Sequence, residues 1–271
     1  MGDFSLDATA HYMVNARTLI HLAVAAYDED PADHASFKKT VFDSATLFSS
    51  AKTDTFGFIA ADANNLVIAF RGTDSIKDWL ATNFDFRVRK ESFGKVHLGF
   101  AKALDSVWDA ITARITKLQD NEQTIWVTGH SLGGALACLA NRRLAGAQQP
   151  FAACTFGQPR VGNTSFADGY KRTLYRFVNN NDIVPTVPPR FVPLFPPVIY
   201  THVGELQFFD KDGHLTEGSE TSEPLGLDPL VMSALHPLSD DEESASDFIR
   251  EGFKDHDRKN YVRLVEANQP Q

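Results

Sequence analysis

Cysteine is scarce: 271 residues include only two, Cys138 and Cys154. Two thiols cannot build a disulfide scaffold. Both sit among apolar neighbours, where a reduced core thiol belongs. Long apolar runs are missing too. No stretch reaches the ~18 uninterrupted apolar residues of a transmembrane helix, so none is expected. Met1 to Leu6 holds neither a basic nor an apolar region, so no signal peptide is visible. Leu6 also stands where a myristoylation signal needs Ser or Thr. A soluble protein is expected, either cytoplasmic or secreted with its signal removed. Basic residues are outnumbered, 26 against 35 acidic, for a formal net charge of -9. That excludes the basic footprint of a nucleic-acid-binding module. Neither His-Glu-x-x-His nor clustered Cys/His spacing occurs, so no metal and no cofactor is expected.

The shortage of positive charge is local. Residues 1–203 hold 20 basic and 19 acidic side chains, whereas 204–271 hold 6 and 16. An acidic solvated surface follows, one that disfavours anionic lipids. Negative charge near a histidine would also raise its pKa.

What is present reads as one domain over 1–271, of α/β class. Hydrophobic residues make up 43% of the chain, enough for a sizeable core at this length. Ala8 to Tyr27 has helical periodicity. Thr55 to Ala61 and Leu66 to Phe70 read as strands joined by a turn. Val96 to Leu118 reads as an amphipathic helix, with Phe100, Leu104, Val107, Ile111 and Ile115 on one face. Thr124 to Thr128, Phe151 to Phe156 and Leu174 to Val178 read as buried strands, and Leu132 to Ala145 as a helix. This alternation predicts a largely parallel sheet flanked by helices. Six of the 13 prolines fall between Pro185 and Pro197, which marks an ordered loop. Val198 to His202 and Glu205 to Phe209 are expected to form a terminal hairpin. Asp257 to Glu266 is expected to form a last helix.

The strongest chemical signal is Gly129-His130-Ser131-Leu132-Gly133. It fits G-x-S-x-G, a strained strand-to-helix turn that exposes a serine hydroxyl above a sheet. A strand-like run ends just before it and an Ala/Leu helix follows, as that turn requires. A side chain at either glycine would clash with the neighbouring strand or helix. A serine hydroxyl needs a base to take its proton, and the base needs an orienting carboxylate. In this arrangement both follow the serine in the chain. Asp182 ends a predicted buried strand, at the carboxyl edge where α/β sheets place their sites. Four histidines follow it: His202, His214, His236 and His256. Residue types alone leave the choice among them open. His130 is expected to pack and hydrogen-bond beside the nucleophile rather than act as its base.

Three segments in order carry a family resemblance: Val67-Ile68-Ala69-Phe70-Arg71-Gly72-Thr73, Gly129-His130-Ser131-Leu132-Gly133-Gly134-Ala135-Leu136, and Phe177-Val178-Asn179-Asn180-Asn181-Asp182-Ile183-Val184-Pro185. With Gly157-Gln158-Pro159-Arg160-Val161-Gly162 and Asp255-His256 they make the chain similar to the class 3, fungal-type triacylglycerol lipases. The resemblance implies an α/β-hydrolase fold and a triad of Ser131, Asp182 and His256. It implies oxyanion donors at Thr73 and at Leu132, the latter also by the geometry of the turn. It further implies a lid carrying Ser75, Ile76, Trp79 and Leu80. The residues agree with a short helix there, because Ser75 with Asp78 fits a capping box and the three apolar side chains share a face. Asp74 and Asp78 make that face more acidic than a lipid-binding one usually is. The expected activity is hydrolysis of neutral acylglycerols, with transient contact at a lipid–water interface. The alternatives are a short-chain or feruloyl esterase, a phospholipase A1, or a non-catalytic binding protein that keeps the fold.

Overall fold

The computed structural model describes residues 12–73, 86–119, 123–144, 146–148, 150–217 and 250–270. Ser75, Ile76, Trp79, Leu80, His236 and most of the acidic run lie outside the described residues. In chain order the strands are β1 (Ala45–Ser50), β2 (Thr55–Ala61), β3 (Asn65–Phe70), β4 (Val88–Glu91), β5 (Gly94–His97), β6 (Thr124–His130), β7 (Ala152–Phe156), β8 (Gly162–Asn163), β9 (Leu174–Asn179), β10 (Phe191–Val192), β11 (Val198–Thr201), β12 (Glu205–Phe209) and β13 (Leu215–Glu217). The helices are α1 (Tyr12–Ala25), α2 (Leu98–Leu118), α3 (Leu132–Arg143), α4 (Thr164–Asp168) and α5 (Arg258–Ala267).

Eight strands form the main sheet in the order β1-β2-β3-β6-β7-β9-β12-β13. Its centre, β3 to β12, is parallel, and the flanking pairs are antiparallel. The parallel strands are buried on both faces, which is why Leu66 to Phe70 reads as a continuous apolar run. Alternate residues go to opposite sides. Ile68 and Phe70 join Leu104, Val107 and Ile111 of α2 in one core. Val67 and Ala69 join Leu19, Trp126, Phe156 and Tyr261 in the other, under α1 and α5. Each such fully buried large side chain contributes ~1.5–3 kcal/mol. Cys138 lies in the first core and Cys154 in the second, both as free thiols. Burial pushes Cys138 up to about 12 and raises Cys154 as well.

Two expectations need correction. The helix starting at Val96 begins instead at Leu98, because Val96 and His97 close β5. His97 Nδ1 then accepts the N–H groups of Gly99 at 3.1 Å and Phe100 at 3.4 Å, which caps the helix. The terminal hairpin does not form. β11 belongs to a second, five-stranded sheet, order β10-β11-β8-β5-β4, whereas β12 pairs in parallel with β9. A connection as short as His202 to Gly204 permits either outcome. Burial of Phe209 against Phe177 in the main core decides it.

Candidate active site

The parallel strands end together. Phe70 of β3 is level with Gly129 of β6, His130 with Phe156 of β7, and Phe156 with Phe177 of β9. The loops that leave this carboxyl edge carry Thr73, Ser131, Gly157 and Asp182.

Ser131 sits between β6 and α3 with φ 61° and ψ -130°, a conformation that costs a non-glycine residue ~1–3 kcal/mol. Its surroundings hold it there. The Ser131 N–H donates to the Phe156 carbonyl at 2.9 Å, and its own carbonyl accepts the Gly134 N–H at 2.9 Å. The flanking glycines are needed for space, as the sequence implied. A Cβ on Gly129 would lie 2.3 Å from the Gly133 carbonyl, and one on Gly133 would lie 2.3 Å from that of Phe70.

Asp182 follows β9 and is wholly buried. Its carboxylate accepts from His256 Nδ1 at 2.8 and 2.9 Å, from the Val184 N–H at 2.9 Å and from the Tyr261 hydroxyl at 2.6 Å. A carboxylate can only accept, so the proton of a neutral His256 resides on Nδ1 and the lone pair on Nε2. That Nε2 and Ser131 Oγ are both buried and have no hydrogen-bond partner among the described residues. Such bonds are often loose without substrate.

The chain around His256 is clamped. Asn179 Nδ2 donates to the Asp255 carbonyl at 2.8 Å. The Asp255 carboxylate accepts from Asn180 Nδ2 at 3.2 Å and the Asn181 N–H at 3.1 Å. Asp257 caps α5 by accepting the Lys259 N–H at 2.9 Å. From the elbow itself, His130 Nε2 lies 2.8 Å from the His256 carbonyl, and the two rings lie tilted against each other with centroids 4.5 Å apart. A carbonyl only accepts, so His130 donates through Nε2. Its Nδ1 then accepts from the Tyr27 hydroxyl at 2.8 Å. Burial, first, and the neighbouring His256 hold the His130 pKa well below the usual histidine value. His130 is therefore the packing and hydrogen-bonding neighbour that the sequence suggested.

The other histidines lie elsewhere. His202 is half-buried with Nε2 2.8 Å from the Pro185 carbonyl, and loss of solvent around the ring pushes its pKa well down. His214 is exposed, 3.6 Å from the Asp210 carboxylate. Neither contacts Asp182. Thr73 and Leu132 together line a cavity of about 410 Å³, with Gly99, Phe100 and Ala103 on its walls.

Three contributors escaped the sequence. Tyr261 is one unremarked position in the expected last helix, yet its hydroxyl supports Asp182. Tyr27 was merely the end of a predicted helix. Gly157, at φ 59°, is the third: a Cβ there would lie 2.8 Å from Asp182 Oδ2, His256 Cε1 and His256 Nδ1. A glycine in a Gly-Gln-Pro run signals a turn, but nothing in the run names the two side chains that need its space.

The family model described as Lipase (class 3) matches residues 67–192. A lipase from Caenorhabditis elegans is 28% identical over 206 residues, which cover 69% of this chain and 58% of that protein. The secreted mono- and diacylglycerol lipase 1 of Fusarium solani is 34% identical, covering 54% of this chain and 48% of its own. The chain thus spans about half the length of these relatives. Among solved structures, the lipase of Rhizopus microsporus var. chinensis superimposes with a TM-score of 0.64 at 28% identity, covering 82% of this chain and 86% of that one. A triacylglycerol lipase whose catalytic centre is a serine protease triad gives 0.62 at 26% identity, covering 77% and 84%. The parallel sheet, the strained serine between β6 and α3, and these matches agree: the chain has the α/β-hydrolase fold and resembles the class 3 lipase family over residues 67–192.

Proposed function

We propose that this chain is a serine hydrolase of carboxylic esters acting on neutral acylglycerols. The observation that carries the reading is the Asp182–His256 pair, 2.8 Å apart and packed against the strained turn that holds Ser131. Ser131 Oγ attacks the ester carbonyl while His256 Nε2 takes its proton. Asp182 fixes the imidazole tautomer and stabilises the imidazolium. The backbone N–H groups of Thr73 and Leu132 receive the charge on the carbonyl oxygen, each such donor being worth ~2.7–4 kcal/mol. His256 returns the proton to the leaving alcohol, and water then hydrolyses the acyl-enzyme by the same route. The lid role of Ser75, Ile76, Trp79 and Leu80 remains part of the proposal, on sequence alone.

Purified wild type, Ser131→Ala, His256→Ala and His202→Ala are compared on dissolved and emulsified glycerol esters. Ser131→Ala and His256→Ala lose about 10³-fold or more in kcat. His202→Ala stays within roughly tenfold of wild type wherever it folds. Undiminished hydrolysis by Ser131→Ala would refute the assignment.

A further inference from the structure

Antiparallel strands with one wet face usually turn apolar residues inward and polar ones outward. The hairpin of β10 and β11 does not. Val192, Val198 and Tyr200 face inward and pack with Phe86, Val88 and Leu194. The outward face is apolar as well. Phe191 and Ile199 are directly opposed across the two strands, 59% and 49% exposed. Phe195, in the turn between them, stands clear of the chain at 105%. Pro193, Pro196 and Pro197 are exposed beside it, and no polar side chain occurs from Phe191 to Ile199. Three of the six large apolar side chains exposed among the described residues therefore belong to this one hairpin. Scattered singly they would need no explanation; gathered, they mark a contact surface.

Size, shape and place together indicate the occupant. The patch offers roughly 400 Å² of apolar surface, taking the ~150–250 Å² that an aromatic side chain can bury. A stable dimer needs about 800 Å² per partner, so a second copy of the chain fits poorly. β10 is an edge strand, but it is two residues long and Pro193 follows it, so an added strand would find almost no ladder. No Asp, Glu, Lys or Arg occurs between Arg190 and Glu205, so the tip has no charged rim to orient a protein partner. A lipid surface asks only for apolar depth, and a projecting aromatic ring suits it. The place agrees. The Tyr200 ring lies 6.4 Å from that of His97, and His97 lines the cavity that holds Thr73 and Leu132. A surface held by this hairpin lies beside the oxyanion donors.

Resting on the hydrolase reading above for its purpose, we propose that the β10–β11 hairpin is a lipid anchor, which inserts Phe195, with Phe191 and Ile199 around it, into the surface of an uncharged lipid aggregate. The anchor is separate from the expected lid at 75–80. Its prolines pre-set the turn, so little chain entropy is lost when the tip enters lipid. It recognises apolar depth rather than a headgroup, and the 16 acidic against 6 basic side chains of residues 204–271 oppose an anionic surface.

The test separates binding from hydrolysis. Flotation with hexadecane droplets coated in a dialkyl-ether phosphatidylcholine, which carries no carboxylic ester, gives the partition coefficient. Initial rates on tributyrylglycerol dissolved below its solubility limit give kcat/KM. All substitutions fall on exposed side chains, so the variants should fold. Phe195→Ser should lower partitioning about tenfold or more and Phe191→Ser by about threefold or more, whereas Phe195→Trp should stay within about threefold of wild type. In each, kcat/KM on the dissolved ester should stay within about twofold. Added salt should leave wild-type partitioning nearly unchanged, because no ion pair is involved. Partitioning unmoved by both serine variants overturns the anchor. So does a wild-type dimer, seen by sedimentation, that Phe195→Ser splits into monomers, since the face would then bind a second copy. An equal fall in kcat/KM on the dissolved ester also overturns it, since the hairpin would then serve the site itself. If the chain floats with the droplets but does not hydrolyse the dissolved ester, the hydrolase reading fails and the anchor stands; hydrolysis without flotation refutes the anchor alone.

Discussion

Tyr261→Phe removes one hydroxyl and disturbs two buried groups. The hydroxyl donates to Asp182 Oδ2 at 2.6 Å and accepts the Asn179 N–H at 3.1 Å. Burial and the adjacent Asp182 raise the Tyr261 pKa well above the usual tyrosine value, so it is a protonated donor throughout the working range. A hydrogen bond to a charged acceptor is worth ~1.5–3 kcal/mol, and an orphaned buried N–H costs ~1–3 kcal/mol. The two share one atom and do not add fully, so the expected loss of stability is about 2–4 kcal/mol. The rate should suffer less. Asp182 keeps His256 Nδ1 and the Val184 N–H as donors, so the imidazole stays oriented and kcat falls less than about tenfold. Denaturant unfolding at neutral pH gives the first quantity, and initial rates on a soluble ester give the second. A stability change below ~1 kcal/mol would refute the account of the hydroxyl as an anchor. A kcat loss beyond ~10³ with little change in stability would show that Tyr261 acts in the chemistry itself.

Further outcomes follow from the same geometry. Gly157→Ala puts a methyl 2.8 Å from both Asp182 and His256 at a positive φ, so it should cut kcat by at least ~10²-fold while the chain still folds, as circular dichroism would show. Wild-type activity in that variant would mean the pair has room to spare. Tyr27→Phe frees His130 to change tautomer and so weakens its bond to the His256 carbonyl; a kcat loss of about tenfold with KM within twofold is expected from steady-state kinetics, and a loss confined to KM would contradict it. His130 and His202 both have pKa values pushed well down by burial. Both therefore stay neutral in the fold, while the unfolded chain protonates them below about pH 6.5. Their stability contribution is complete above that pH and is lost as pH falls, by ~1.4 kcal/mol each over the next unit. Unfolding midpoints at pH 7.5 and 5.5 should differ accordingly, and His202→Gln should make the slope shallower. Stability that is flat or rising towards pH 5.5 would contradict the burial argument.

Local patterns were legible along the chain. Apolar runs at β3, β7 and β9, the helical stripe of α2 and the glycine-flanked Ser131 each follow from bond geometry and burial over a few residues. So did the candidate Asp182, because a carboxylate at the end of a buried strand lies at the sheet's carboxyl edge whatever the rest of the chain does. Residue types alone did not separate His256 from His202 and His214; the family resemblance pointed to His256, and the fold brings its ring against Asp182. Those side chains differ in surroundings, not in type, and contact with Asp182 at 74 residues' separation exists only once α5 packs under the sheet. The same holds for the supports. Tyr261, Tyr27 and Gly157 carry no mark of their own, because their roles depend on which distant atoms arrive beside them. The misplaced hairpin has the same cause: neighbouring strands can pair with each other or with remote ones, and the better-buried pairing wins. Sequence alone marked the central strands of the main sheet, its long helices and the residue types the chemistry requires, but not β1, β4, β5, β8, β10, β13 or α4. Tertiary structure decided which copies of those types meet, since hydrogen bonds and burial are settled by proximity in space rather than along the chain.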